Sequence, residues 1–366
     1  MQLTGVALSN FRNYGELNLQ PVAGLNVFVG ANAQGKSNLL EAIAMLGTGK
    51  SFRTSKDADL VREGVELGVV RGDARVRAGL VHLGCTIARS GRGTKKQYTI
   101  NGQSVRYARF LGSIRVVTFV PADLQLVGGP PSLRRGLINI ALAQEDRQYY
   151  HELARYQKAL QQKSAMLRGL VAFDPELLAI YDNALVESGT YVMLTRNHFI
   201  AELAREAEST HAQWTNEAER LDVRYAPNIA FEAATGDAVA GAFEARLREV
   251  AAQERIRRMA LAGPHRDDLA LTLDGTSLAA YGSQGQQRTA VLALKVAEYS
   301  VMRDRANEAP LLLLDDVLSE LDEQRAAAFL AGVGQYEQAF VTATHLPDHL
   351  PEAAVFRIDR ASVAAC

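Results

Sequence analysis

Two segments of this 366-residue chain carry groups suited to a nucleoside triphosphate. Gly30-Ala31-Asn32-Ala33-Gln34-Gly35-Lys36-Ser37 has the spacing G-x-x-x-x-G-K-[ST]. Such a loop turns successive backbone N–H groups inward onto phosphate oxygens, and the helix it feeds offers a partial positive charge at its N-terminus. Lys36 is expected to reach the β and γ phosphates and the Ser37 hydroxyl to hold Mg²⁺, with 30–38, through Asn38, as the nucleotide cradle. Leu311-Leu312-Leu313-Leu314-Asp315-Asp316 is the second segment. Four consecutive leucines read as a strand buried on both faces, and its two acids fall where open parallel sheets bind ligands. Asp315 is expected in the Mg²⁺ shell, and Asp316 to orient or deprotonate the attacking water.

A third segment, Ser283-Gln284-Gly285-Gln286-Gln287-Arg288, opens a long helical pattern. A small hydroxyl, a glycine and a helix N-terminus make a second anion-binding surface, and the same residues also read as a plain helix cap. The pattern is not G-x-S-x-G, so a serine-hydrolase elbow is unsupported.

The elements that must position these groups follow from periodicity. Strands are expected at 3–9, 16–19 and 25–29, the last ending abruptly at Gly30; Leu39, Leu40, Ile43 and Leu46 then recur at helical spacing. Short alternating segments over 67–105, closed by Asn101-Gly102, predict an antiparallel sheet with a tight hairpin. From Ser132 to about Arg220 glycine and proline are sparse and the apolar spacing is helical. After Gly263-Pro264 α/β character returns, with strands expected at 269–273, 311–314 and 339–342 and a helix from about Gln284 to Arg303. The simplest arrangement has two sequence-distant α/β parts, 1–125 and 263–366, completing one core around an inserted helical lobe, 126–262, with the antiparallel part at about 67–110.

Composition narrows the function classes. Hydrophobic residues make up 48% and charged residues 22%, which excludes a disordered or fibrous chain. Cys85 and Cys366 are too few for a disulfide framework, and no apolar run is long enough to span a membrane. The start, MQLTGVALSN, lacks the basic-then-apolar order of a secretion signal, so the expectation is a cytoplasmic protein without a membrane partner. The net charge of −1 argues against coating nucleic acid by bulk charge. Between Lys50 and Arg109, however, 13 basic residues face 5 acidic ones, and Arg92, Lys95 and Lys96 around a glycine turn are candidate phosphate contacts.

Further segments occur in a telling order: Leu8-Ser9-Asn10-Phe11-Arg12-Asn13-Tyr14, Ser51-Phe52-Arg53-Thr54, Gly128-Gly129-Pro130 through Arg134-Arg135, Gly263-Pro264-His265-Arg266-Asp267-Asp268, Ser319-Glu320-Leu321-Asp322 and Thr344-His345. With the P-loop, the Ser-Gln-Gly-Gln helix start and the leucine strand, this order resembles the RecF family of SMC-like DNA-repair ATPases. The resemblance implies an α/β P-loop ATP-binding-cassette head with ATP and Mg²⁺ as cofactors. It also implies DNA binding at single-strand gaps, RecR, RecO and RecA as partners, and an ATP-dependent homodimer. In such heads Ser283, Gly285 and Gln286 cap the γ-phosphate held by the other subunit's P-loop, Arg12 and Asn13 lean on the nucleotide, and His345 is the switch histidine. Ser319 to Asp322 would communicate across the interface. The lobe-linking position is open between Asp123 and Gln125, and aspartate rather than glutamate at 316 implies slow, switch-like hydrolysis. An SMC-type scaffold would need far longer coiled-coil arms, and a transporter ATPase a Glu-Pro pair where this chain has Asp316-Val317.

Overall fold

The computed structural model describes residues 1–91, 93–317, 336–346 and 352–365. The chain divides into two compact units: Met1–Leu124 with Lys295–Cys366, and Gln125–Leu294. It therefore passes between them twice, after Leu124 and after Leu294.

The first unit holds two sheets. Strands β1 (Gln2–Phe11), β2 (Tyr14–Leu19), β4 (Leu67–Val76), β5 (Gly79–Ser90), β6 (Gly93–Ile100) and β7 (Gln103–Val105) form an antiparallel sheet in the order β2-β1-β4-β5-β6-β7. The β6–β7 hairpin turns on Asn101 and Gly102, both at positive φ (50° and 77°), with Ile100 opposite Gln103. This is the two-residue turn that Asn-Gly predicts. The second sheet, in the order β15-β14-β3-β13-β12-β8, is parallel apart from the β14–β15 hairpin. It comprises β3 (Gly24–Val29), β8 (Val116–Phe119), β12 (Leu311–Leu314), β13 (Gln338–Ala343), β14 (Ala353–Asp359) and β15 (Ser362–Ala365). All four leucines of β12 are buried, as a two-sided strand requires.

Between the sheets lies α1 (Lys36–Thr48). Its Leu39, Leu40, Ile43 and Leu46 are buried as the periodicity predicts, but so are Ala42, Ala44 and Met45. The helix shares one apolar cluster with Leu8, Val70 and Ile87 of the antiparallel sheet and Phe28, Leu313 and Phe340 of the parallel one. A helix covered on two sides needs apolar groups around most of its girth, wider than the one stripe of an amphipathic helix.

A short helix, α2 (Tyr107–Phe110), precedes β8 in the first unit; the second unit is mainly helical, with α3 (Gln125–Gly128), α4 (Pro131–Glu145), α5 (Arg147–Leu167), α6 (Pro175–Thr215), α7 (Gly236–Arg257) and α8 (Leu278–Tyr281). At 41 residues α6 is about 60 Å long. The sequence reading returned the chain to the core at residue 263, whereas in the structure that return falls at Lys295. Strand β10 (Asp268–Leu273) pairs antiparallel with β9 (Leu221–Ala226) and β11 (Thr276–Ser277), making a small sheet of the lobe itself. The alternating burial of β10 fits a sheet with one wet face and gave no sign of which sheet it would join. Helix α9 (Gln284–Ala306) starts in this unit and ends in the first.

Candidate functional site

In the parallel sheet, β3, β13, β12 and β8 run in one direction, so their carboxyl ends deliver Gly30, Thr344-His345, Asp315-Asp316 and Val120 to one edge. The first unit thus places the P-loop, both acids and the candidate switch histidine on the edge where open α/β sheets bind ligands.

The loop from Gly30 to Gly35 is fixed by its surroundings. Gly30 is closely approached: a Cβ there would lie 2.3 Å from the Ile358 carbonyl oxygen. Gly35 has φ +119°, a conformation open to glycine alone, and precedes the first residue of α1. The Tyr14 hydroxyl donates to the Gly35 carbonyl at 3.1 Å, and the β14–β15 turn holds Gln34 from the other side. There Arg360 N–H donates to Gln34 Oε1 at 2.6 Å and Ala361 N–H to its carbonyl at 2.9 Å. Ala31, Asn32 and Ala33 are exposed, with Ala33 at φ +64°.

Lys36 Nζ donates to the carbonyls of Gly30 at 2.6 Å and Ala31 at 2.9 Å, folding the ammonium over the loop. Burial lowers its pKa, while Asp316 and Asp315 act in the opposite direction. Ser37 hydrogen-bonds the Asp315 side chain, and Thr342 Oγ1 donates to Asp315 Oδ1 at 2.9 Å. Burial raises the Asp315 pKa; those two hydroxyls and the Arg53 charge hold it down. The Asp316 N–H donates to Thr342 Oγ1 at 2.8 Å, and Asp316 sits at φ +52°. Thr342 thus ties both acids to β13. Ser37 and Asp315 supply the hard oxygen donors that Mg²⁺ takes alongside waters and substrate phosphates. His345 is exposed, with Nδ1 3.1 Å from Thr344 Oγ1.

Arg12 and Asn13 form the turn between β1 and β2, against the P-loop and its helix. Arg12 makes a two-pronged pair with Glu41, at 2.8 and 2.6 Å, and also donates to the Asp59 carbonyl at 2.9 Å. The Glu41 carboxylate is fully buried and takes a further hydrogen bond from Ser51. Asn13 Nδ2 donates to the Gln34 carbonyl at 3.2 Å, and its Oδ1 accepts from Asn38 at 2.7 Å. Arg53 Nη1 donates to Asn38 Oδ1 at 2.5 Å, linking Ser51-Phe52-Arg53-Thr54 to α1. The sequence reading missed Glu41 and Thr342. Glu41 left a signal, a carboxylate inside an apolar helical run, which demands a buried cation.

Ser283, in the second unit, caps α9 reciprocally: its N–H donates to Gln286 Oε1 at 2.8 Å and its Oγ accepts from Gln286 N–H at 3.2 Å. Gln286 Nε2 reaches Glu219 at 2.9 Å, and the Gly285 carbonyl accepts from Thr289 at 2.9 Å. Asp267 is buried and gathers Arg196 at 2.8 Å, the Asn228 N–H at 2.9 Å and the Tyr225 hydroxyl. Asp268 takes both prongs of Arg134, at 2.6 and 2.9 Å. The Gly-Pro-His-Arg-Asp-Asp segment is thereby a staple of the lobe.

Some expectations move. Lys96 pairs with Asp57 at 2.7 Å and donates to the Gly49 carbonyl at 3.0 Å, so it braces the sheet, while Lys95, on the opposite face of β6, is exposed. Strand alternation turns neighbours to opposite sides, which rules out Lys95 and Lys96 as one patch. Asp123 Oδ2 accepts from the Val120 N–H at 2.9 Å and lies near Lys295, whereas Gln125 is exposed. Arg92, Cys366 and Ser319 to Asp322 lie outside the described residues.

Residues 2–356 match the family model described as the RecF/RecN/SMC N terminal domain. The DNA replication and repair protein RecF of Symbiobacterium thermophilum is 42% identical over 95% of this chain and 92% of its own length. This chain belongs to the RecF family. The RecF protein of Geobacillus thermodenitrificans is 37% identical over the full length of both chains. A solved structure of the recombination mediator protein RecF with ATP superposes with a TM-score of 0.90 at 30% identity, covering 100% of this chain and 97% of its own. An SMC head bound to the C-winged helix domain of ScpA shares the fold, with a TM-score of 0.56 at 15% identity over 100% of this chain and 97% of its own. Among the described residues no helix is long and apolar enough to cross a membrane.

Proposed function

We propose that this RecF-family chain is an ATP-dependent DNA-binding recombination mediator that uses slow, DNA-stimulated ATP hydrolysis as a switch. The observation carrying this is the convergence of Lys36, Ser37, Asp315 and Asp316 at the carboxyl ends of β3 and β12. ATP would lie along 30–38, its phosphates taking the loop N–H groups and drawing the Lys36 ammonium from the Gly30 and Ala31 carbonyls. Ser37 and Asp315 would hold Mg²⁺, which supplies charge neutralisation at the β and γ oxygens when bound. Asp316 would orient the attacking water and accept its proton, with His345 following the adjacent strand β13.

The N-terminus of α9, with Ser283 exposed and Gly285 and Gln286 half-buried, would serve the γ-phosphate on a second copy's P-loop, so ATP joins two copies. Gln125 is the better candidate for the lobe-linking position, since Asp123 is committed to the Val120 N–H. DNA at single-strand gaps, RecR, RecO and RecA are the partners proposed from family membership, in the cytoplasm. The test is Lys36→Met, read by light scattering with ATP, ADP and no nucleotide. Dimerisation should disappear in the variant; normal ATP-dependent dimers would exclude the P-loop as the switch.

A further inference from the structure

The lobe ends in an apolar surface unrelated to the nucleotide site. Leu170 is 73% exposed, Val171 48% and Phe173 48%, all in the turn between α5 and α6; Ile256 is 81% and Met259 43%, at the end of α7. Two contacts bring these segments together. The Arg255 guanidinium lies 5.9 Å from the Phe173 ring centre, and buried Lys163 of α5 bridges Asp182 of α6 and Glu254 of α7, each at 2.7 Å. Five large apolar side chains left in water at the meeting of three helix ends mark an interaction site.

The exposed charge around them is basic in excess. Arg168, Arg255, Arg257 and Arg258 are exposed here. Of the acids on these segments, Asp182 and Glu254 share Lys163, and Asp174 accepts the Glu176 and Leu177 N–H groups at the start of α6. Two exposed acids, Asp174 and Glu176, thus stand against four exposed arginines. A polyanion such as DNA would use the cations and waste the apolar area; an apolar partner would leave the arginines unanswered.

We propose that this end of the lobe is a docking surface for an acidic, amphipathic helical segment of a partner protein. Its apolar face would cover Leu170, Phe173 and Ile256, and its carboxylates would meet the arginine rim.

The full chain, without nucleotide, is panned against displayed random peptides, and enriched sequences are measured by fluorescence anisotropy. Enrichment of acidic sequences with apolar residues at i, i+3/i+4 and i+7 is expected. Leu170→Ser/Ile256→Ser and Arg168→Glu/Arg257→Glu should each weaken their binding by about tenfold or more. These positions are exposed, so circular dichroism should be unchanged. Enrichment without that pattern, or equal binding by the variants, overturns the proposal. So does a finding that the variants lose binding to phosphatidylglycerol vesicles or to a short DNA duplex, or lose self-association, in place of peptide binding.

Discussion

Arg12 is held against the P-loop helix by Glu41. The carboxylate is wholly buried and the guanidinium only 18% exposed, with two hydrogen bonds of 2.8 and 2.6 Å between them. Removing one partner of such a pair leaves a desolvated charge, costing about 3–5 kcal/mol, whereas replacing both with apolar groups is often near neutral. Glu41 retains the Ser51 hydroxyl, with Arg53 at 4.0 Å, so Arg12→Met should fall at the low end, about 3 kcal/mol. Glu41→Met leaves the guanidinium only the Asp59 carbonyl and its 18% exposure and should cost about 2 kcal/mol. Arg12→Met/Glu41→Met should cost about 1 kcal/mol, giving a coupling of about 4 kcal/mol in a double-mutant cycle. Urea unfolding followed by circular dichroism supplies the stabilities, and fluorescent ATP titration the affinities. Glu41→Gln, which keeps the shape and loosens the grip on Arg12, should weaken ATP by about three- to tenfold. Additive stabilities would show that the pair does not act as a unit, and unchanged ATP affinity in all of these variants would remove Arg12 from the nucleotide site.

Asp316→Asn should leave ATP binding intact, lower steady-state turnover at least about tenfold and accumulate dimers on DNA; unchanged turnover would exclude Asp316 as the base. Ser283→Arg should bind ATP as a monomer within about twofold of the parent yet fail to dimerise by light scattering, because the cation blocks approach to a second P-loop. Burial lowers the His265 pKa from 6.5 to about 4, the neutral ring accepting from Tyr156 at Nδ1. Below pH 6.5 the unfolded chain takes up a proton the folded one refuses, so stability falls by about 3 kcal/mol between pH 6.5 and 4. His265→Gln should flatten that part of the pH–stability curve measured by urea unfolding.

Sequence reached far into this site because its chemistry is local. The P-loop needs consecutive residues, and Leu311 to Asp316 needs only a buried strand and its end. Those elements appear where periodicity puts them, β12 residue for residue. What stayed hidden depends on distant pairing. Thr342 matters because β13 lies beside β12, and Glu41 because Arg12 folds back across 29 residues. Lys96 looked like a free cation because local charge density says nothing about Asp57 across the sheet. Segment 263–268 sits in the lobe for the same reason: the strand that opens at Asp268 joins β9, a pairing no local pattern encodes.

The double passage between units bears on how the protein is made. The lobe, Gln125–Leu294, is one continuous stretch and can close on itself as soon as it leaves the ribosome. The strand feeding the P-loop cannot. Its partners β13 and β14 join it through Gly24–Gln338 and Leu25–Ala353, and both are made after the whole lobe. Until then β3 is an apolar strand with both edges bare, the state in which wrong pairings and aggregation compete. Nucleotide binding competence therefore follows the lobe in synthesis, and chains cut before β13 carry an intact P-loop sequence without the sheet that shapes it.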